Sequence, residues 1–237
     1  MPTGMLLLLI TAALIYFGAA QRVLDRMRLT DSQALLFIGL MIGGSFIDIP
    51  LYQGTVEISV NVGGALVPLA LCIYLLLRTD TARERVRGIV AALVTAGIVF
   101  AVSQLTEFGP TDRALIDPMW LFSIVAGVVG YLAGRSRRSA FIAGTLGIIL
   151  TDVIHTVRAL ATGIPTTAAL GGAGIFDTVV IAGIIAVLLA ELVGETRERI
   201  QGGPGEHEGQ TVLHNEEFLQ METQQNQNDG EGKEGHD

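Results

Sequence analysis

The sequence predicts an all-α, polytopic membrane protein, a helical bundle of about seven transmembrane helices. Three observations carry that class. Half of the 237 residues are hydrophobic and only 16% are charged, the mean hydropathy is +0.54, and the arginines recur in every second loop between apolar runs. Soluble domains carry roughly 25% charged residues, so an aqueous globule is excluded on composition. The 29 glycines fit as well, because small residues let membrane helices approach closely.

The formal charge of −8 belongs to one end of the chain. From Val193 onward, eleven acidic residues face Arg197, Arg199 and Lys233, whereas the preceding 192 residues hold twelve acids and twelve arginines. An acidic tail argues neither for nor against nucleic acid, and nucleic acid is not among the expected partners. Cys72, the single cysteine, lies in an apolar run, so neither an intrachain disulfide nor a cysteine metal cluster is available.

In chain order, the first run covers residues 5–20. No Lys or Arg precedes it, whereas Arg22, Arg26 and Arg28 follow it. That is the reverse of a secretory signal, and a retained span with its N-terminus outside is expected. The other runs are residues 34–49, 60–77, 88–104, 119–134, 140–160 and 175–192. Several are shorter than the ~20 residues a crossing needs, so their polar ends should lie in the interface or inside the bundle. Arg78, Arg83, Arg85 and Arg87 fall after the third run, Arg135, Arg137 and Arg138 after the fifth, and Arg197 and Arg199 after the seventh. The alternate loops hold only Arg113 and Arg158. This bias places the arginine-rich loops and the C-terminus in the cytoplasm. Residues 1–200 then form the transmembrane domain, and 201–237, rich in Gly, Glu, Gln and Asn, a disordered acidic cytoplasmic tail. Within the tail, Val212, Leu213, Phe218 and Leu219 offer a short apolar patch to a cytosolic partner, against the blander reading of a solvated end.

The second run lies on the sixth at a constant offset of 104. Phe37, Ile38, Gly43, Asp48 and Ile49 match Phe141, Ile142, Gly147, Asp152 and Val153. A parallel duplication of three helices about a fourth would explain the match, against chance similarity of two apolar helices.

Ionisable residues at membrane depth are functional candidates by default. Asp152 and His155 are three residues apart and share one helix face. Counted from Ala140, Asp152 sits roughly 18 Å into a core about 30 Å thick, where a carboxylate must be paired, hydrated or protonated. His155 could share a cation or a proton with it; a capped interfacial helix end is the structural alternative. Asp48 precedes Ile49 and Pro50 and either joins that site or satisfies amides freed by the proline. Asp177 follows the glycine-rich Gly171–Gly174 and reads first as an N-cap. Asn61, beside Gly63, Gly64 and Pro68, marks a broken helix that lines a polar cavity, or simple glycine packing. Asp48, Asn61, Asp152, His155 and Asp177 are thus the candidate residues for a proton or cation. Oxygen ligands would suit a hard divalent ion, and His155 would widen the choice to transition metals. Gly39 with Gly43 and Gly130 with Gly134 carry the spacing for close helix approach. The run Arg135–Arg138 is explained by topology and anionic lipid.

Catalysis is the least favoured class. Two aspartates on neighbouring spans suggest an intramembrane aspartyl hydrolase, but the glycine expected before the second aspartate is replaced in Gly174-Ile175-Phe176-Asp177. No zinc-protease, nucleophile-elbow, phosphate-loop or dinucleotide signature is present. A non-catalytic scaffold acting through the tail is the main alternative to a transporter or sensor.

The blocks QRVLDRMRLTD, GGSFIDIPL, ISVNVGGALVPLAL and GYLAGRSRRSAFIAGTLGIILTDVIH, ungapped and in this order, resemble the prokaryotic membrane-protein family known as domain of unknown function sixteen-fourteen. The likeness covers most of residues 5–195 and omits the tail. It implies an integral membrane protein of a prokaryotic cytoplasmic, or plasma, membrane, and it transfers no catalytic residue or cofactor. The expected partners are the lipid bilayer, a proton or cation, a cytosolic protein at the tail, and a second copy in a homo-oligomer.

Overall fold

A computed structural model describes residues 3–79, 81–106, 118–163, 165–171 and 178–200. The chain divides into two compact units, Met1–Leu192 and Val193–Asp237. Of the second, residues 193–200 are described and are helical; the expected disordered tail lies outside the described residues.

The chain is mostly helical. It runs α1 (Thr3–Tyr16), α2 (Gln21–Met27), α3 (Asp31–Gly44), β1 (Asp48–Tyr52) and β2 (Val56–Asn61). A π-helix (Val62–Leu66), α4 (Val67–Leu77), α5 (Ala82–Leu105), α6 (Pro118–Gly134), α7 (Arg137–Thr162), β3 (Thr166–Leu170) and α8 (Thr178–Ile200) follow. By length and apolarity, α5, α7 and the Thr178–Thr196 part of α8 can each cross a membrane. The α1–α2 pair makes a fourth candidate only if a 95° bend is one broken span. Residues 31–44, 62–77 and 118–134 form shorter apolar helices.

Helix starts follow local chemistry. Thr30 caps α3 reciprocally with Gln33, and Thr81 and Ser136 cap α5 and α7 through the amides of Glu84 and Ser139. α7 is the axis of the bundle, packed along α5 and α6 and touching α2, α4 and β3. Backbones nearly touch where glycines face: a Cβ added at Gly130 would lie 2.8 Å from the amide nitrogen of Gly144. Such contact, with close packing, holds helices together where lipid removes the hydrophobic drive. Gly134 packs equally tightly against Ala140, whereas Gly39 and Gly43 meet nothing within 4 Å. Among the described residues, only the second of the two glycine pairs packs against another part of the chain.

The all-helical expectation needs correction, because three strands form one sheet in the order β1-β2-β3. β1 pairs antiparallel with β2, and β2 parallel with β3. The second apolar run leaves the helix at Gly44, before Asp48, and the third begins as a strand. Pro50 disfavours helix at Ile49 and donates no amide. In Val56-Glu57-Ile58-Ser59-Val60 the aliphatic residues are buried while Glu57 is exposed, the two-residue period of a strand. Asp48 thus opens a strand, whereas Asp152 lies inside α7. The match at offset 104 joins two positions of different local structure.

Candidate polar site at a glycine junction

The hairpin register brings Asp48 opposite Asn61. Asn61 is buried, with 1% of its surface exposed, and all of its polar atoms are engaged. Its Nδ2 donates to the Ser45 carbonyl and to Asp48 Oδ1, both at 2.9 Å. Its Oδ1 accepts from the Gly64 amide at 2.7 Å and so caps the π-helix. One amide therefore joins the end of α3, the start of β1 and the first turn after β2. The hairpin closes further through the Val62 amide, which donates to the Ile47 carbonyl at 2.9 Å.

Gly64 then meets the end of β3. A Cβ on Gly64 would fall 2.1 Å from the Gly171 carbonyl oxygen, and one on Gly171 would fall 2.5 Å from the Ala65 amide nitrogen. Gly171 has φ +81°, a conformation that favours glycine. Its amide donates a long hydrogen bond of 3.4 Å to Asp152 Oδ2. The sequence candidates are thus linked through two glycine backbones: Asp48 to Asn61, Asn61 to Gly64, Gly64 against Gly171, and Gly171 to Asp152.

His155 turns elsewhere. Its Nε2 lies 3.2 Å from Ser103 Oγ on α5, and its ring is tilted against Phe100 at 5.2 Å between centroids. Asp152 and His155 share α7, but Asp152 accepts from Gly171, the residue after β3, whereas His155 meets Ser103 on α5. One turn further, Arg158 donates to Gln104, so α5 and α7 are joined by polar contacts at this end. Asp177 lies outside the described residues. Among the described residues, no group of three or more His, Cys, Asp or Glu side chains could hold a metal ion. The oxygens at the junction belong to Asp48, Asp152, Asn61 and the backbone, a donor set suited to protons or hard cations.

Sequence reasoning missed Gly171 as a partner of Asp152, and Ser103 as a partner of His155. It also missed a second repetition: Val62-Gly63-Gly64-Ala65 follows β2, and Leu170-Gly171-Gly172-Ala173 starts at the last residue of β3. These strands pair in parallel with Val60 opposite Leu170, so the two signatures begin on neighbouring strands, two residues out of register. That doublet was the available signal.

At the opposite end of α7, Arg138 is buried. It approaches the Glu84 carboxylate at 3.8 Å and donates to the Arg26 carbonyl at 3.5 Å. Ser136 also donates to Glu84, at 3.1 Å, and Arg137 pairs with Glu191. Two of the three arginines in this loop are therefore built into the fold, so topology and lipid do not account for the whole run.

No curated protein and no solved structure matches the chain. A family described as "Protein of unknown function (DUF1614)" matches residues 21–189, from α2 into α8 and across the whole glycine junction. The chain belongs to that family.

Proposed function

We propose that this is a multi-pass membrane protein of transporter or sensor type whose glycine junction binds a proton or a small hard cation between Asp48 and Asp152. The observation that carries the reading is the backbone contact of Gly64 with Gly171, because each glycine is hydrogen-bonded into one arm of the polar chain. Strand ends and unwound segments inside a bundle are tolerated where they line a polar cavity, and such segments supply backbone oxygens to ions. Asn61 orients Asp48, Gly171 orients Asp152, and His155 with Ser103 continues the polar seam between α5 and α7. The role is non-enzymatic. The arginine distribution supports seven crossings in a prokaryotic plasma membrane, with the N-terminus outside and the C-terminus in the cytoplasm. A parallel duplication finds its support in the repeated Gly-Gly-Ala sequence that follows β2 and recurs at the end of β3, rather than in the offset of 104.

The same hydrogen bonds favour a second reading, in which the carboxylates only fasten the sheet to the bundle. Thermal unfolding of the purified protein in detergent, across pH and a panel of monovalent and divalent cations, separates the two. A ligand at a hundred times its Kd stabilises the native state by ~2.7 kcal/mol, which appears as a raised midpoint. The expected result is a proton- or cation-dependent midpoint in wild type that is lost in both Asp48→Asn and Asp152→Asn. If wild type responds to no condition, or both variants respond as it does, the binding reading fails and the fastening role stands.

A further inference from the structure

We infer that the segment Phe46–Tyr52 is a membrane-inserted element, bedded in the boundary layer between headgroups and acyl chains on its side of the bilayer. This rests on the chain being membrane-embedded and is independent of what the glycine junction binds. In the sequence, these residues straddle the end of an apolar run and the start of an aqueous loop. In the structure they form an apolar projection: Phe46, Ile47, Ile49, Leu51 and Tyr52 are exposed by 41–68%. The one acid of the segment, Asp48, is tied back to Asn61. The neutral side chains are thus left outward, and the charge, exposed like the rest of β1, is hydrogen-bonded to the buried Asn61 at the edge of the bundle.

The occupant of this surface follows from three features. The projection continues the exposed apolar side chains Leu36 and Leu40 of α3, the helix that leads directly into it. α3, at 14 residues, is ~21 Å long, about two-thirds of a ~30 Å hydrocarbon core, so a segment that begins two residues beyond its end lies toward the boundary of that core. β1 is also an edge strand, with Pro50 in its middle and an irregular register between Pro50 and Tyr52. A proline and a bulge blunt an edge against pairing with another strand, which disfavours a second copy as the cover. An open edge is equally unsuited to the hydrocarbon centre, where its backbone would find no partners. The boundary layer satisfies both demands, with acyl chains for the side chains and headgroups or water for the edge. Tyr52 suits that layer by its amphipathic ring, and the polar Gln53, Gly54 and Thr55 at the turn follow it outward.

Site-directed spin labelling tests this directly, since Cys72 is the only native thiol and is buried. In a Cys72→Ala background, nitroxides at Phe46, Ile49 and Leu51 are compared with a lipid-facing control at Leu40 and a turn control at Gln53. The protein is reconstituted in phosphatidylcholine–phosphatidylglycerol vesicles, and power saturation is read with oxygen and with a water-soluble nickel chelate. The expected result is accessibility to oxygen and protection from nickel at all three positions, as at Leu40, with the reverse at Gln53. Nickel accessibility at the three positions overturns the inference in favour of an aqueous hairpin. Protection from both reagents overturns it in favour of cover by a second copy or another protein. Should labelling at these sites prevent folding, Leu51→Trp in bromolipid vesicles replaces it: quenching beyond that of wild type, which carries one tryptophan, supports insertion, and no added quenching refutes it.

Discussion

Asn61 is the residue on which the junction depends most. Its amide donates twice and accepts once, each time to a different segment, and two of those partners are backbone groups of the buried residues Ser45 and Gly64. Removing one partner of a buried hydrogen bond leaves the other unsatisfied, at about 1–3 kcal/mol for each group. Asn61→Ala should therefore lower the unfolding midpoint clearly in detergent. Asn61→Asp should keep the cap on Gly64 but lose both donated bonds and set a second carboxylate against Asp48. The expected order of midpoints at neutral pH is wild type highest and both variants well below it. Equal midpoints for wild type and Asn61→Ala would show that the cap and the hairpin bonds contribute nothing. Asp48 and Asn61 were both legible as candidates, because polar residues stand out against an apolar background. Their bond was not legible, since it depends on a hairpin register between two residues thirteen positions apart in the chain. His155 was legible as a polar residue, but its partner Ser103 lies on another helix and has no sequence spacing to reveal it.

Among the elements, the long helices were the easiest to foresee and the sheet the hardest. α5, α7 and α8 are continuous apolar stretches whose length alone decides for helix in a membrane. β1 and β2 were hidden because their aliphatic residues extend neighbouring apolar runs, and a short apolar run does not distinguish strand from buried helix. Pro50 and the Val56/Ile58/Val60 alternation were the cues that outweighed it. The two glycine pairs make a paired test at this scale. They have the same spacing, yet Gly130 lies against the backbone of Gly144 and Gly39 faces open space. Gly130→Leu should force α6 from α7 and destabilise by about 1–3 kcal/mol, the usual penalty for overpacking. Gly39→Leu should leave the midpoint within experimental error. If the detergent midpoint falls equally for both, Gly39 is covered in the assembled protein by something other than this chain, and a homo-oligomer becomes the first suspect.

For the whole molecule, the arginine pattern and the helix geometry bear on the number of crossings from different directions. Arginine-rich loops alternate regularly, which fits seven crossings, but among the described residues only α5, α7 and α8 satisfy length and apolarity individually. The deciding element is the α1–α2 elbow, since a 95° bend between a 14-residue and a seven-residue helix is compatible with a short crossing followed by a helix lying along the surface. α2 has the character of a surface helix: Leu24 and Met27 are buried in the core shared with α1, α3 and α4, while Arg22 and Arg26 are exposed. Its backbone is also held by buried Arg138 at the start of α7, so α2 and the N-terminal end of α7 lie on the same side of the membrane. Labelling with a membrane-impermeant maleimide in the Cys72→Ala background reads this topology in intact cells. Gln53→Cys and Thr162→Cys should react from outside, whereas Arg83→Cys should react only after permeabilisation. An N-terminal protease-cleavable tag should be removed from outside if α1 crosses. Cleavage only after permeabilisation, with the three cysteines behaving as expected, would make α1 a re-entrant arm and the bundle six crossings. Reversal of all four readouts would invert the protein in the membrane and place the glycine junction on the cytoplasmic side.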